Sequence, residues 1–291
     1  MKFLILFIAL MAQYQLPLPQ RSTRSRSFAR WLSWWTPRQW FTRIPRHLRY
    51  VLIVVLPTTL VTLAFWYLDR YFWGLLTFVL EILLLLYVLS HSGIERHLKE
   101  YQEDIQRGDT QGAYHCAEQF LALPEVSVSD DLTSMNEQVI HALMHRWFEY
   151  FFLMVFWYMV ADVAGVLLAW FSVQYARASD CDDKAWRYLH WLEWGPVRLL
   201  GLTYGLAGNL MRALPVWQRY LWNLRTPSAT VLFDIAASSL CQNGEKREWH
   251  SVENDSEAAA GELQEWQQLH LRSVSIWMIM IAAATVGGWL L

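Results

Sequence analysis

Apolar residues occur in five blocks along the chain, separated by polar stretches. The blocks are Phe3 to Leu16, Tyr50 to Leu68, Tyr71 to Ser90, Tyr150 to Phe171 and Val274 to Leu291. The last four approach the ~20 apolar residues that an α-helix needs to cross a bilayer. The first is shorter and predicts a short first span or a re-entrant segment. The pattern predicts an all-α, polytopic helical membrane protein with five or six membrane segments and helical cytoplasmic loops.

The polar stretch after the third block has helical periodicity. Apolar residues recur there at steps of four, three and four, at Ile94, Leu98, Tyr101 and Ile105. Residues 108–110 then end one helix and precede another. We expect three regions: N-terminal membrane segments in 1–90, an amphipathic helical cytoplasmic region in 91–149, and C-terminal membrane segments with polar loops in 150–291.

An arginine-rich loop separates the first two apolar blocks. Eight arginines and no acidic residue lie between Pro17 and Arg49, which marks the cytoplasmic side of a membrane. The loop also contains four tryptophans, Trp31, Trp34, Trp35 and Trp40. Indole rings favour the headgroup layer and arginines pair with anionic lipid. Residues 27–40 therefore predict an interfacial amphipathic segment on the lipid bilayer and its anionic headgroups. A plain basic loop is the alternative.

The number of spans depends on the stretch from Pro196 to Leu214. If this stretch is a sixth span, the cytoplasmic segments hold 17 Lys and Arg residues and the outer segments hold 5. With five spans the split is 12 and 12. Because positive charge accumulates in cytoplasmic loops, the count favours six spans with both termini outside. Residues 21–49, 93–147 and 219–270 then face the cytoplasm, and the polar residues 243–262 predict a flexible linker.

Composition and charge exclude several classes of protein. Hydrophobic residues make up 55% of the chain and charged residues 17%, which fits neither a disordered chain nor an ordinary soluble domain. A net charge of −2 argues against nucleic-acid binding. Cys116, Cys181 and Cys241 are too scattered to predict a disulfide framework or a zinc site.

Two carboxylates, Glu81 and Asp162, fall inside predicted spans. A charge in lipid is costly, so such residues are functional candidates by default. Asp162 is the stronger candidate because it lies in the middle of its block. A small-solute transporter that uses Asp162 is therefore one alternative function.

A stripe of metal-binding side chains follows the helical pattern at steps of four, at Glu137, His141, His145 and Glu149. At 3.6 residues per turn such a stripe drifts by about 40° per step, so the four cannot close on one ion. We expect a polar helix face here, with no metal and no cofactor. No motif of a known catalytic site is recognisable, so an enzyme is the less favoured reading.

Three glycines, Gly201, Gly205 and Gly208, fall at i, i+4 and i+7. Small residues at this spacing let helices approach closely in membranes. We predict that these glycines form a helix-packing face.

Arg198 is the candidate functional side chain of the same stretch, with Glu193 and Pro196 just before it. Pro is favoured in the first turn of a helix. An arginine near a membrane entry can snorkel to the headgroups. It can instead turn inward and hold an anion or a carboxylate such as Glu193 or Asp162, for which its planar fork is suited.

One block of the chain reads LEWGPVRLLGLTYGLAGN at 192–209 and is followed by RALPVW at 212–217, and the segment VFW occurs at 155–157. In these segments the chain resembles the AmpE family of inner-membrane proteins. The resemblance places Arg198 and Asn209 in the same block, and the Pro-x-Arg-Leu pattern of that block favours the inward orientation of the arginine. Glu193 stands where the family usually has Asp.

The AmpE family is similar in turn to the CobD/CbiB membrane enzymes of cobalamin synthesis. Pro196, Arg198 and Leu199 echo a Pro-x-Arg-Leu block of those enzymes. Their Asn-Thr-x-Asp-Ser-Met segment has no counterpart around 169–177. A CobD/CbiB-like enzyme with altered chemistry is thus an alternative function.

The family resemblance implies a multi-pass protein of the bacterial inner membrane. It implies a non-catalytic regulatory or signalling modulator in the pathway of peptidoglycan recycling and β-lactamase induction. Its expected partner is AmpD or another protein of cell-wall recycling. The helices at 93–147 and the segment after 214 are expected to form the contact surface.

Overall fold

The computed structural model describes residues 2–15, 26–35, 44–71, 74–89, 94–121, 132–178, 183–240 and 256–287. Every regular element in these ranges is a helix. The elements are α1 (Lys2–Gln15), α2 (Arg26–Trp35), α3 (Arg46–Tyr50), a π-helical turn (Val51–Val55), α4 (Leu56–Tyr71), α5 (Leu75–Leu89), α6 (Ile94–Gln106), α7 (Thr110–Leu121), α8 (Leu132–Trp147), a second π-helical turn (Phe148–Phe152), α9 (Leu153–Ala178), α10 (Asp183–Ala207), α11 (Leu210–Leu221), α12 (Ser228–Leu240) and α13 (Ser256–Val286).

Two helical stretches in the described ranges are long and apolar enough to cross a membrane, His47–Arg70 and Ser134–Ala178. The apolar helices Leu76–Leu89 and Ser228–Leu240 are shorter. The second and third apolar blocks form a helical hairpin, with Gly74 at φ +65° in the turn between α4 and α5. Glycine adopts this left-handed conformation without steric cost. The expected fold class, a helical membrane protein, is therefore confirmed.

The fourth apolar block reverses its direction at two residues. Ala161 has φ −137° and ψ 24°, and Asp162 has φ 52° and ψ −144°, so neither residue is helical. Arg177 contacts both Glu149 and Tyr150. In a straight helix, Arg177 and Glu149 would lie about 40 Å apart at 1.5 Å per residue. The expected straight span Tyr150–Phe171 is therefore wrong, and this block is a helical hairpin.

A glycine allows the two arms of this hairpin to meet close to its turn. A Cβ atom at Gly165 would lie only 2.2 Å from the carbonyl oxygen of Trp157. The two residues lie at equal distances along the chain from Ala161, as expected on opposite arms of a hairpin. We call residues 149–178 the reversing hairpin.

The chain divides into two compact units that are each discontinuous in sequence. Unit 1 comprises residues 1–92, 149–193 and 282–291, and unit 2 comprises residues 93–148 and 194–281. The division of the chain at residues 90 and 149, made from sequence alone, stays a prediction.

Unit 1 collects most of the apolar blocks. Its helix α1 packs along α5, and α4 packs on the reversing hairpin. The Tyr50 hydroxyl and Ser172 Oγ form a hydrogen bond of 2.8 Å at the base of α4. Helix α2 inserts the buried ring of Phe28 between those of Trp170 and Phe171, with centroids 6.3 and 6.1 Å away.

Unit 2 is a bundle of amphipathic helices. The predicted pair α6 and α7 is confirmed, with Gly108 at φ +73° between them. Their facing side chains are buried, as the periodicity required: Leu98, Tyr101, Ile105, Ala113 and Ala117. Trp266 of α13 is fully buried and stacks on Phe233 of α12 at 5.2 Å.

Two expectations for the second half of the chain are wrong. The stretch 196–214 is not one helix, because α10 ends at Ala207 and α11 begins at Leu210. The expected linker 243–262 is helical from Ser256 onward, since an alanine-rich turn leads into the buried residues Leu263 and Trp266. Its first part, 243–255, lies outside the described residues.

Candidate functional site

Arg198 belongs to unit 2 and is only 4% exposed. Its Nη1 donates to the carbonyl of Trp194 at 3.0 Å. Its Nη2 donates to the carbonyls of Tyr220 and Asn223 at 3.1 and 2.6 Å. The guanidinium also lies 5.1 Å from the Trp194 ring centroid, within cation–π range.

Through these contacts Arg198 caps the C-terminal end of a helix. The last carbonyls of an α-helix have no partner within the helix and carry a partial negative charge. Helix α11 ends at Leu221, and two of the three carbonyls bound by Arg198 belong to that end. The arginine turns inward, but its partners are backbone carbonyls and not the expected carboxylates of Glu193 or Asp162.

Pro196 lies inside α10 and not in a first helical turn, because α10 begins at Asp183. A proline inside a helix cannot donate to the carbonyl four residues before it. That carbonyl belongs to Leu192, and it accepts the indole N–H of Trp157 at 3.2 Å. Because Pro196 cannot use the Leu192 carbonyl, this oxygen is available to Trp157, and the resulting hydrogen bond links α10 to the reversing hairpin. Trp157 and Leu192 belong to two separate blocks of the family resemblance.

The three candidate packing glycines lie where neighbouring atoms leave little room. An added Cβ would lie 2.7 Å from Ile235 Cδ1 at Gly201 and 3.1 Å from Ala213 Cβ at Gly205. At Gly208 it would lie 2.7 Å from the carbonyl oxygen of Ser239. These distances suit a packing role, because contacts below 3.0 Å force a neighbour to move.

Asn209 and Tyr220 complete the connection of α11 to its neighbours. Asn209 is extended at φ −112° and ψ 96°, directly before α11. Its backbone N–H donates to the carbonyl of Ser239 in α12 at 2.9 Å. The Tyr220 hydroxyl donates to the carboxylate of Asp234, also in α12, and this bond raises the pKa of Tyr220. Residues 192–223 therefore hold α10, α11 and α12 together.

Unit 1 contains both carboxylates that were expected within the membrane. The Tyr158 hydroxyl donates to Glu81 Oε2 at 3.3 Å. Asp162 lies at the turn of the reversing hairpin, four residues after Tyr158. Asp162 is exposed on the protein surface, whereas Glu81 is half-buried. Glu193, the other acidic candidate, is 4% exposed.

An ion pair lies at the base of the reversing hairpin and was not expected from sequence. The Arg177 guanidinium binds the Glu149 carboxylate and the Tyr150 hydroxyl, and its Cζ lies 4.8 Å from the Tyr150 ring centroid. Glu149 is 1% exposed. The sequence assigned Glu149 to a polar helix face, since only the reversal at Asp162 brings Arg177 next to it.

The described residues define a helical membrane protein in which the buried polar groups of the candidate site bind helix ends. A family model described as regulatory signalling modulator protein AmpE matches residues 33–286. The chain belongs to the AmpE family, and the description of that family is one of regulatory signalling.

Two curated proteins are similar to the chain. It is 25% identical to Protein AmpE of Shigella flexneri over 180 residues, which cover 57% of this chain and 62% of that protein. It is 25% identical to Cobalamin biosynthesis protein CobD of Stutzerimonas stutzeri over 193 residues, which cover 56% of this chain and 60% of that protein. The chain thus spans about three fifths of the relatives it matches. No solved structure matches it.

Proposed function

We propose that this protein is a non-catalytic modulator in the bacterial inner membrane, acting on AmpD-dependent peptidoglycan recycling and β-lactamase induction. The observation that carries the proposal is the family match over residues 33–286. The site geometry supports it, because the residues of the AmpE-like block hold three helices of unit 2 in place. A rigid helical surface of this kind suits contact with a partner protein.

The reversing hairpin gives a specific membrane topology. Its ends, at Glu149 and Arg177, are in contact, so both ends face the same side of the membrane. We therefore infer that the hairpin enters the membrane and returns, and that the segments before and after it are both cytoplasmic.

The distribution of positive charge supports this topology. Membrane crossings by α1, α4, α5 and the end of α13 leave Lys2 and Arg70 outside and the other 22 of the 24 Lys and Arg residues inside. This asymmetry exceeds the 17-to-5 split of the six-span arrangement. Unit 2 then faces the cytoplasm, where AmpD-dependent recycling would provide its partner.

Cysteine labelling in intact cells tests the topology. In a background without native cysteines, single cysteines replace Arg70, Gln102 and Asp183, and the cells are treated with a membrane-impermeant maleimide. We expect labelling at position 70 alone until the cells are permeabilised. Labelling of position 183 in intact cells would show that the hairpin crosses the membrane, and the re-entrant topology would then be abandoned.

Helix α2 supports contact with anionic lipid. Its indole rings cluster, with centroids of Trp34 and Trp35 at 4.7 Å and of Trp31 and Trp35 at 5.4 Å. Phe28 is buried in unit 1, whereas Trp34 is 53% exposed and Arg30 is exposed. An amphipathic helix with arginine and exposed indole rings binds at the headgroup layer. We propose that α2 lies there, on the cytoplasmic leaflet.

A complementation assay tests the pathway and the contact surface. The gene is expressed in a strain that lacks its own family member, and inducible β-lactamase is measured. Trp222, directly after α11, is 81% exposed, as suits a residue that anchors a partner. We expect Trp222→Ser to impair the response at unchanged protein abundance. Trp191→Ser is the matched control, since Trp191 is also exposed but belongs to unit 1. No change in induction on deletion and complementation would overturn the proposal.

The match to a CobD protein favours a second candidate function, a membrane enzyme with altered chemistry. Its Pro-x-Arg-Leu block is represented here by Pro196, Arg198 and Leu199. Purified protein in detergent should then bind or turn over a nucleotide or a cobinamide-like substrate. A positive result would replace the modulator function by the enzymatic one.

A further inference from the structure

Helices α6 and α7 of unit 2 bring three metal-ligating side chains to one place. His97 and Glu100 lie on α6, and Cys116 lies on α7. His97 Nδ1 lies 3.0 Å from Glu100 Oε2. Cys116 Sγ lies 3.4 Å from the carbonyl oxygen of His97. The imidazole nitrogen, the carboxylate oxygen and the sulfur all lie within 4.8 Å of one another.

These distances are close to those of a tetrahedral metal centre. Zinc binds cysteine sulfur at about 2.3 Å and histidine nitrogen or carboxylate oxygen at about 2.0 Å, so the three ligand atoms would lie roughly 3.3–3.5 Å apart. The observed cluster needs small rotations of three side chains to reach this spacing. His97 and Glu100 keep 36% and 53% of their side-chain surface exposed, so the cluster borders the surface of unit 2.

The chemical types of the three ligand atoms indicate which metal ion would bind. A thiolate combined with an imidazole and one carboxylate suits zinc, whereas magnesium and calcium take oxygen ligands alone. Three protein ligands leave a fourth position for water or for a group of another molecule. The exposed side of the cluster, at Glu100, is open for that position.

The other side of the cluster is apolar. His97 and Cys116 line a small cavity whose remaining walls are Leu98, Tyr101, Ala117, Val139 and Leu143. An apolar wall keeps water from one side of an ion and strengthens its electrostatic interactions. The cavity also contains residues of α8, so an ion at this place would influence the packing of three helices of unit 2.

We propose that His97, Glu100 and Cys116 form a zinc site that ties α6 to α7 in unit 2. The site joins two helices that also pack through buried apolar side chains and are connected by a turn at Gly108. Its occupancy would stabilise the surface that unit 2 presents. The inference stands on the geometry of the cluster and does not depend on the AmpD pathway.

Metal titration of the full chain tests the site. The protein, without an affinity tag and with Cys181 and Cys241 replaced by Ser, is stripped with a chelator in detergent and titrated with Zn²⁺. We expect one ion per chain and a rise in melting temperature on binding, because a ligand of the folded state stabilises it. With Co²⁺ in place of Zn²⁺, a thiolate-to-cobalt charge-transfer band should appear.

Matched variants distinguish the site from surface binding. Cys116→Ser should remove the charge-transfer band and, like Glu100→Gln, weaken Zn²⁺ binding by at least ~10-fold, since each removes a ligand. His115→Ala is the control, because His115 is exposed and adjacent in sequence but does not belong to the cluster. Equal Zn²⁺ affinity of the parent protein and Cys116→Ser, or the absence of the cobalt band from the parent, would overturn the proposal.

Discussion

Units 1 and 2 each enclose an arginine, but the two arginines have opposite kinds of partner. In unit 1, Arg177 binds the carboxylate of Glu149 and the hydroxyl of Tyr150. In unit 2, Arg198 binds three backbone carbonyls, two at the end of α11 and one, of Trp194, in α10. The first arginine compensates a buried negative charge, whereas the second compensates the partial charges of a helix terminus.

The partners of the two arginines differ because different groups are buried in the two units. Unit 1 contains most of the long apolar blocks, and its ion pair closes the base of a hairpin that turns inside such a block. Unit 2 contains several separate helices, and the last carbonyls of each helix need partners from outside it. One side-chain type therefore supports a chain reversal in one unit and a junction of helices in the other.

The largest effect is expected from breaking the ion pair of unit 1. Arg177→Ala leaves Glu149 buried without its cation, which should cost about 3–5 kcal/mol of unfolding free energy. The measurement is thermal unfolding in detergent, followed by circular dichroism. Arg107→Ala is the matched control, because the Arg107–Glu103 pair is exposed and such pairs contribute about 0.2–1 kcal/mol.

A double substitution sharpens this result. Glu149→Leu with Arg177→Leu removes both charges, so it should recover a large part of the stability that Arg177→Ala loses. If the double variant is as unstable as the single one, then the shape of the contact matters more than its charge.

The second effect concerns pH and belongs to unit 2. His270 is buried, stacks on Trp147 at 4.4 Å, and its Nδ1 lies 3.2 Å from the Tyr204 hydroxyl. Burial lowers the pKa of His270 from 6.5 to about 4. The unfolded chain therefore binds a proton between pH 6.5 and 4 that the folded chain does not bind.

This difference in proton binding sets the direction in which the stability of the protein changes with pH. The contribution of His270 to stability is complete above pH 6.5, falls as the pH is lowered to 4, and changes no further below that. The loss should reach about 3 kcal/mol at 1.36 kcal/mol per pKa unit. His270→Phe keeps the ring stack but does not titrate, so its stability should fall less over this pH range. Parallel curves for the two proteins would contradict the burial argument.

The third effect concerns Arg198 and distinguishes a structural role of this residue from a direct role in signalling. Lysine keeps the charge but cannot reach several carbonyls at once, so Arg198→Lys should cost about 2 kcal/mol in lost charge-assisted hydrogen bonds. Unfolding in detergent and inducible β-lactamase are measured on the same variant. A loss of induction at full stability would instead support a ligand-binding role.

Elements with a regular pattern could be predicted from the sequence, and the junctions between them could not. The α4–α5 hairpin and the α6–α7 pair follow from apolar block length and from residues that recur every three or four positions. The reversal at Asp162 breaks no pattern, because both arms are equally apolar. The partners of Arg198 could not be predicted from the sequence either, because they are backbone carbonyls, which every residue has.

The smallest effect is expected from replacing a glycine by alanine at two positions, Gly195 and Gly208. Close packing predicts that the change in stability has opposite signs at the two positions. Gly195 lies inside α10, and a Cβ atom there would contact nothing within 4 Å. Alanine is favoured over glycine in a helix by up to about 1 kcal/mol, so Gly195→Ala should stabilise the protein by a fraction of that amount. The measurement is the shift in melting temperature in detergent.

At Gly208 the same substitution should have the opposite sign. The added Cβ would meet the Ser239 carbonyl at 2.7 Å, and this oxygen also accepts the backbone N–H of Asn209. Because that acceptor is backbone, it cannot move aside as a flexible side chain would, and we expect a loss of about 1–2 kcal/mol. Stabilisation by both substitutions would mean that α10 and α12 have room to separate. The close approach of their backbones would then not be what the glycines of the AmpE-like block provide.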